Sequence, residues 1–168
     1  MGPPPPLGDR ASKAHYACMS LYRRYSGHGR PYFVTTNTAD RNPIFSDSAA
    51  NAVLIRVIEE IRAETRFHLH AWVMMPDHIH LVASTPDGVP IGRVMGLIKG
   101  RFANRWNREN GTAGAMWQSR FHERALRSPD ALRSAIDYIH MNPVVAGLVD
   151  QPQDYRWSSA AWWARRCG

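Results

Sequence analysis

The part of the chain that follows residue 30 begins with a strand-like pattern of apolar positions and then changes to a helical one. Residues 32–38 are mostly β-branched or aromatic and are followed by a polar turn at 40–43, which predicts a β-strand. Beyond Ser46 or Asp47, either of which can serve as an N-cap, apolar residues recur at i, i+3, i+4 and i+7. This spacing predicts an amphipathic helix over residues 47–65.

Two apolar runs and a second amphipathic segment come next. Residues 67–75 and 79–84 flank a Pro-Asp turn signal, which predicts an antiparallel hairpin. Residues 91–108 carry an apolar stripe surrounded by basic side chains, which predicts a second helix. Residues 117–126 then favour a further strand or hairpin arm.

A third helix begins with a well-defined start signal. Ser128 is suited to the N-cap, Pro129 to the first helical position, and Asp130 supplies an acid in the first turn. Asn142-Pro143 is expected to end or bend this helix. The resulting order β-α-β-β-α-β-α predicts an α+β fold, a ferredoxin-like antiparallel sheet with helices packed on it.

Length and charge narrow the class of protein. The chain has 168 residues, about one domain, and its 21 Lys or Arg against 14 acidic residues give a net charge of +7. Such a basic balance favours a polyanionic partner, most often nucleic acid. Residues 1–30, rich in Pro, Gly and Arg, predict a flexible basic arm before a single domain at 31–168, or a tail without a role added by an upstream start codon.

Neither membrane insertion nor secretion is indicated by the sequence. No stretch reaches 18 consecutive apolar residues, and the N-terminal region lacks the apolar segment of a signal peptide. Cys18 and Cys167 form no metal-binding or redox motif. We therefore expect a cytoplasmic protein without a membrane partner.

The sharpest chemical signal is His78-Ile79-His80. Alternate side chains of a strand share a face, so both imidazoles should project together while Ile79 points into the opposite layer. Two adjacent imidazoles can share one divalent cation, although two surface histidines on a half-exposed strand give the same pattern. His68 and His70 repeat the pattern within a hydrophobic run, whereas the later pair follows a turn, where functional residues more often lie.

Tyr138 and Asn142 lie four residues apart near the end of the third predicted helix. If the helix persists that far, both project on one face, one turn apart. A tyrosine hydroxyl can act as a nucleophile, and an amide oxygen suits a hard cation such as Mg²⁺ or Mn²⁺. A tyrosine packed at the sheet edge and an Asn-Pro helix stop explain the same spacing, so the residues alone leave both interpretations open.

Residues 99–133 combine positive charge with aromatic side chains. Eight of them are Lys or Arg and three are acidic, with Phe and Trp residues interleaved. Such a segment can bind phosphates and stack unpaired bases. It can equally be a solvated helix face over core aromatics.

Five sequence motifs occur in an order that resembles a known family. They are YFVTTNT at 32–38, MPDHIHLV at 75–82, KGRF at 99–102, WQSRFH at 117–122 and YIHMNPV at 138–144. Together they resemble the single-tyrosine HUH transposases, most closely the branch of REP-associated tyrosine transposases. The resemblance extends over about residues 31–160.

This resemblance implies a metal-dependent single-stranded DNA endonuclease and strand-transferase that acts at hairpin-forming repeats. His78, His80 and Asn142 would hold Mg²⁺ or Mn²⁺, and Tyr138 would attack the scissile phosphate to leave a 5′-phosphotyrosine and a free 3′-hydroxyl. The phosphotyrosine conserves the bond energy, so another 3′-hydroxyl can rejoin the DNA without ATP. The implied partner is single-stranded or hairpin DNA, and the candidates for contact with its backbone are Lys99, Arg101, Arg105, Arg120, Arg124 and Arg127.

The resemblance leaves the assembly and one alternative function open. Relatives include homodimers, in which the tyrosine helix serves the histidines of the other copy, and monomers that use their own. The alternative function is a regulator of the same fold that binds hairpin DNA without cleaving it, against which the presence of all four proposed site residues argues. A zinc hydrolase built on the His-x-His pair would need a third strong ligand and a general base.

Overall fold

The computed structural model describes residues 29–167, so nearly all of the predicted arm at 1–30 lies outside the described residues. The strands are β1 (Pro31–Asn37), β2 (His68–Met75), β3 (His78–Ser84) and β4 (His122–Ala125). The helices are α1 (Ser48–Thr65), α2 (Ile91–Asn110), α3 (Pro129–Val145) and α4 (Ala160–Cys167). Within the described range, no helix is long and apolar enough to cross a bilayer.

The four strands form one antiparallel sheet in the order β2-β3-β1-β4. The central pair is β1 and β3, which are joined in register from Pro31 opposite Ser84 to Asn37 opposite His78. Strand β2 shows a register irregularity between Leu69 and Ala71. This sheet, with helices packed on it, confirms the predicted α+β, ferredoxin-like fold.

Helices cover both faces of the sheet. On one face, Ile79 and Leu81 of β3 pack with Val34 of β1 against the apolar sides of α1 and α2. On the other, Val82 of β3 and Val73 of β2 pack against α3. Because strand side chains alternate, residues 78 and 80 belong to the face that α3 covers, as the sequence pattern predicts.

Two predicted helix starts are confirmed, and α3 continues past the Asn142-Pro143 pair that was expected to end or bend it. The side chains of Asp47 and Ser128 accept hydrogen bonds from the backbone N–H groups of Ala49 and Ala131, which caps α1 and α3. Helix α3 continues through Pro143 to Val145 instead of ending at residue 142. Pro143 is buried, and the helix continues although proline donates no backbone hydrogen bond at this position.

The fourth strand is shorter than the predicted segment 117–126. Only His122–Ala125 pairs as a strand with β1, and Trp117 makes an isolated bridge with Thr38. The Trp117 indole is buried and donates to the carbonyl of Lys99 in α2 at 3.1 Å. The start of the segment stays beside the end of β1, where the Gln118 N–H donates to the Asn37 carbonyl at 3.0 Å.

The C-terminal part of the chain, where the sequence patterns predict no element, closes the outer edge of β2. The Met74 N–H donates to the Trp157 carbonyl at 2.9 Å, and the Ser159 N–H donates to the Trp72 carbonyl at 3.0 Å. Helix α4 follows directly, and its Trp163 is buried in the core beneath α3. The tryptophans of this region therefore serve in part as core residues.

Candidate active site

His78 and His80 lie side by side on β3, over the centre of the sheet. Their ring centroids are 4.8 Å apart with an interplanar angle of 79°. Cross-strand pairing places Asn37 opposite His78 and Thr35 opposite His80. The alternation of the strand therefore brings both imidazoles onto one face, while Ile79 is buried on the other.

Each imidazole is oriented by a hydrogen bond to its Nδ1 atom. His78 Nδ1 lies 2.6 Å from Asp77 Oδ1, and His80 Nδ1 lies 2.7 Å from Thr35 Oγ1. The second oxygen of Asp77 pairs with Arg41 Nε at 2.8 Å. With both Nδ1 atoms engaged, Nε2 of each ring is the atom left to bind a ligand, as in histidine metal sites in general.

His80 is held in its neutral form. Its side chain is buried, and this burial, together with the nearby His78 and Arg41, lowers the pKa of His80 from 6.5 to about 4. A neutral imidazole keeps a lone pair for a cation at neutral pH.

Tyr138 projects from α3 over the same face of the sheet. Its ring contacts that of His80 edge to face, with centroids 5.7 Å apart, and that of Phe33 at 5.8 Å. Phe33 in turn stacks on His80 at 5.4 Å. Tyr138 is nevertheless 55% exposed, and none of the described residues hydrogen-bonds its hydroxyl. The phenol is thus positioned by its ring and left accessible at its oxygen.

An open cavity of about 550 Å³ lies beside the Tyr138 ring. Phe33, Thr35 and His80 form its floor, and His122 and Arg124 of β4 form one side. The Arg124 guanidinium lies 5.9 Å from the centre of the Phe33 ring. A strand of DNA laid in this cavity would meet a positive charge next to the phenol and the imidazoles.

Asn142 lies one helical turn beyond Tyr138, as predicted. Its amide nitrogen donates to the Tyr138 carbonyl at 2.7 Å, and none of the described contacts joins it to either histidine. Among residues 29–167 there is also no group of three or more His, Cys, Asp or Glu side chains that could hold a metal ion. A cation held here would have two imidazole nitrogens and would need oxygen from an amide, from water or from a phosphate to complete its shell, a mixed donor set that suits Mn²⁺ better than Mg²⁺.

The predicted DNA-binding residues fall into two groups. Three of them already have protein partners. Arg101 pairs with Glu64 and Glu60, Arg105 binds Glu60 with both terminal nitrogens at 2.9 and 3.0 Å, and Lys99 donates to the Gln118 carbonyl at 2.7 Å. Burial also lowers the pKa of Lys99. These side chains join α2 to α1 and to the segment before β4.

The other three basic residues, Arg120, Arg124 and Arg127, are exposed on or beside β4. Arg124 lies in β4 and lines the Tyr138 cavity, whereas Arg120 precedes β4 and Arg127 follows it along the chain. Arg124 thus supplies positive charge near the phenol, whereas the charged groups of Lys99, Arg101 and Arg105 bind other parts of the protein.

The second His-x-His pair does not join this site. His70 Nε2 lies 2.9 Å from Ser84 Oγ in the buried part of the sheet. Ser84 pairs with His68 at the other end of β3 from His78. Only the later pair, which follows the turn, lies beside Tyr138.

Sequence reasoning missed Thr35, Phe33 and Arg41 as parts of the site. Thr35 and Phe33 contact His80 because of the register between β1 and β3, which a single sequence does not specify. Arg41 has a left-handed backbone with φ of 57°, an unusual conformation for a non-glycine residue, and its guanidinium pairs with Asp77. In the sequence, the alternation of Phe33 and Thr35 with Val34 indicates only that these two side chains share one face of the strand.

Comparison with known proteins places the chain in a family. Residues 30–142 match the family model described as "Transposase IS200 like". A REP-associated tyrosine transposase of Escherichia coli (strain K12) is 32% identical over 142 residues, which cover 84% of this chain and 82% of the relative. A second relative, from Haemophilus influenzae, is 29% identical over 158 residues, covering 84% of this chain and 85% of the relative.

A solved structure agrees with these sequence matches. A REP-associated tyrosine transposase bound to a REP hairpin superposes with a TM-score of 0.72 at 28% identity, covering 83% of this chain and 81% of that one. The chain therefore belongs to the IS200-like transposases and, among them, to the REP-associated tyrosine transposase family. As a tyrosine transposase, it is an enzyme that nicks and joins DNA.

Proposed function

We propose that the protein cleaves single-stranded DNA at hairpin-forming repeats and rejoins it through a 5′-phosphotyrosine intermediate on Tyr138, with a divalent metal held by His78, His80 and Asn142. The observation that supports this proposal most directly is that the rings of His78, His80 and Tyr138 lie next to one another. His80 contacts both His78, at 4.8 Å, and Tyr138, at 5.7 Å, although the tyrosine lies on a separate helix. A nucleophile next to two imidazoles with free Nε2 atoms suits phosphoryl transfer.

The chemistry required of Tyr138 is balanced and reversible. The phenol oxygen attacks phosphorus and loses its proton, the bond from phosphorus to the 3′-oxygen breaks, and the 3′-oxygen takes up a proton. The products are a 5′-phosphotyrosine and a 3′-hydroxyl. Attack by a 3′-hydroxyl on the phosphotyrosine reverses these changes and rejoins DNA. The exposure of Tyr138 supports this role because both strands must reach the same oxygen.

The metal ligands proposed are His78 Nε2, His80 Nε2 and the amide oxygen of Asn142. A divalent cation held there supplies Lewis-acid polarisation of the scissile phosphate. Imidazole favours transition metals whereas Mg²⁺ prefers oxygen ligands, so we expect Mn²⁺ to support the reaction at least as well as Mg²⁺. The bonds from Asp77 and Thr35 to the two Nδ1 atoms support this assignment, because they fix which nitrogen faces the cation.

The DNA partner proposed is a hairpin with adjoining single strand. The similarity to a transposase bound to a REP hairpin supports it, as does the net charge of +7. Arg120, Arg124 and Arg127 are the basic residues best placed to contact the backbone near the phenol. Lys99, Arg101 and Arg105 would reach DNA only by exchanging their present partners.

The proposal is tested by incubating the purified protein with hairpin DNA from the repeats that flank its own gene, with Mn²⁺ or Mg²⁺, and separating the products by denaturing electrophoresis. A covalent adduct of protein and DNA is expected with metal and is expected to vanish on chelation. Tyr138→Phe removes only the hydroxyl, so this variant should bind the hairpin normally and form no adduct.

Two results would contradict the proposal in different ways. If the wild type binds the hairpin but forms no adduct with either metal, the protein is the non-cleaving regulator of the same fold. If Tyr138→Phe still forms the adduct, another residue is the nucleophile. Tyr32→Phe, a change of the same kind on the opposite face of the sheet, is the matched control and should leave adduct formation intact.

A further inference from the structure

A second basic cavity, of about 520 Å³, lies at the outer edge of β2, away from Tyr138. We call it the β2-edge cleft. Three arginines reach it from three different elements: Arg62 from α1, Arg156 from the segment before α4, and Arg165 from α4. None of the residues that line it is acidic, and Glu59 borders a separate hollow next to it.

The three arginines differ from Arg101 and Arg105 in having no carboxylate partner among residues 29–167. None of the ion pairs among the described residues includes Arg62, Arg156 or Arg165, and all three are exposed. Uncompensated guanidinium groups that converge on one concave surface attract an anion, and their planar donors match phosphate oxygens. The cleft is therefore suited to a phosphate group.

Tryptophans line the same cleft. Trp72 of β2 and Trp162 of α4 are both partly buried, so each presents part of its indole to the cavity. Trp162 contacts the Trp163 ring edge to face, with centroids 5.6 Å apart, and the Arg166 guanidinium lies over the Trp162 ring, 4.1 Å from its centre. A fixed indole beside phosphate-binding arginines is the combination that binds single-stranded nucleic acid by stacking.

The distance between the cleft and the Tyr138 site determines whether one DNA molecule can reach both. His68, which lines the cleft, pairs with Ser84, whereas His80 lies four residues earlier on β3. This separation is about 13 Å along the strand. The outer edge of β2 also lies at least one strand spacing, about 5 Å, to the side of β3. One DNA molecule can therefore occupy both places only if its single strand spans both of these distances.

We infer that the β2-edge cleft binds an unpaired nucleotide of the DNA substrate, with its phosphate on Arg62, Arg156 and Arg165 and its base against Trp162. The cavity has the volume of a small-ligand site, which an unpaired nucleotide can enter and a base-paired stem cannot. This inference rests on the proposed function and adds to it a contact for the single strand outside the cleavage site.

The test compares two DNA probes in EDTA, so that binding is read without cleavage. One probe is the hairpin with its single-stranded flank, and the other is the same hairpin without the flank, both followed by fluorescence anisotropy across a salt series. The variant R62Q/R156Q/R165Q should lose affinity for the flanked probe. The slope of log affinity against log salt should fall by about 2, as expected for three contacts to a single strand.

The matched control is R56Q/R93Q/R108Q, which removes the same charge from exposed helix positions outside the cleft. The inference is overturned if the cleft variant weakens binding of the flanked probe no more than this control does, or weakens the flankless hairpin equally. Trp162→Leu adds an independent readout, because loss of stacking should weaken flanked binding by about tenfold.

These outcomes separate the cleft from the proposed function. If the wild type forms the Tyr138 adduct while the cleft variant binds like the control, only the cleft inference fails. If the wild type forms no adduct, the proposed cleavage fails, and the probe comparison still decides whether the cleft holds DNA. Should the triple variant not fold, Arg165→Gln alone, at an exposed position of α4, should reduce the salt slope by about 0.7.

Discussion

Thr35 and Thr36 are neighbours on β1 with opposite environments. Thr35 faces the imidazoles, and its hydroxyl lies 2.7 Å from His80 Nδ1. Thr36 points into the layer of α1 and α2, where its hydroxyl is buried without a hydrogen-bond partner among the described residues. The threonine hydroxyl at position 35 therefore orients His80, whereas the hydroxyl at position 36 orients no other described side chain.

Replacing Thr35 by the isosteric valine should weaken metal binding. Without its hydrogen bond, the His80 ring loses its fixed orientation, and loss of such a partner typically reduces metal affinity by about 10- to 100-fold. Calorimetric titration of Mn²⁺ into the Thr35→Val protein measures this change directly.

Thr36→Val provides the control for this experiment on the same strand. It removes a buried hydroxyl that makes no hydrogen bond, so it should leave Mn²⁺ affinity unchanged and stability equal or slightly higher. Equal Mn²⁺ affinity in the two valine variants would show that Thr35 does not position His80.

At the scale of the element, α3 combines packing with presentation of the nucleophile. Leu132, Ile136 and Ile139 are buried against the sheet, while Tyr138 remains exposed one residue before the last of them. The orientation of Tyr138 is therefore set by how the buried stripe fits the sheet. The cap at Ser128 fixes where the helix begins.

Loss of that cap should destabilise the protein by a small, measurable amount. Ser128→Ala leaves the Ala131 N–H without its acceptor and should lower the free energy of unfolding by about 1 kcal/mol. Urea denaturation followed by circular dichroism gives this value. Ser128→Asp keeps an N-cap acceptor and should stay close to wild type, whereas an equal loss in both variants would exclude capping as the cause.

The elements themselves could largely be predicted from the sequence. The stripe of α1, the start signal of α3 and the alternation of β3 each depend on residues near one another in the chain, which is why their patterns were informative. The end of α3 was not predictable in this way, because the helix continues through Pro143, a residue type that usually ends or bends a helix. Likewise, α4 depends on packing of Trp163 against a core formed by distant residues.

The candidate site was predictable only in part. His78, His80 and Tyr138 carry recognisable chemistry in the sequence, and the fold brings them together. The pairing of Arg101 and Arg105 with carboxylates of α1 depends on how two helices pack, which no local pattern reveals. A basic run in a sequence therefore does not distinguish free positive charge from charge that is already paired.

At the scale of the whole molecule, the question is whether one chain forms the complete site. Tyr138 contacts His80 of its own chain, which supports a nucleophile and metal ligands within a single copy. Mixing Tyr138→Phe with His80→Ala tests this arrangement. Neither variant alone should form the DNA adduct, and their mixture should also form none, as read by denaturing electrophoresis.

Recovery of adduct in that mixture would instead show that the tyrosine of one copy serves the histidines of another. A mixture of wild type with Tyr138→Phe is the control. Its adduct should equal the amount given by the wild-type protein alone, since each active site would work independently.

The two edges of the sheet are protected by different means. Strand β4 is only four residues long and includes the charged Glu123 and Arg124. Short, charged edge strands pair poorly with other chains. Strand β2 is twice as long and mostly apolar, and it is covered by backbone hydrogen bonds from residues 157 and 159. Residues 157–159 thus protect the protein against self-association: a chain lacking them would present an unpaired apolar strand, the usual starting point of edge-to-edge aggregation.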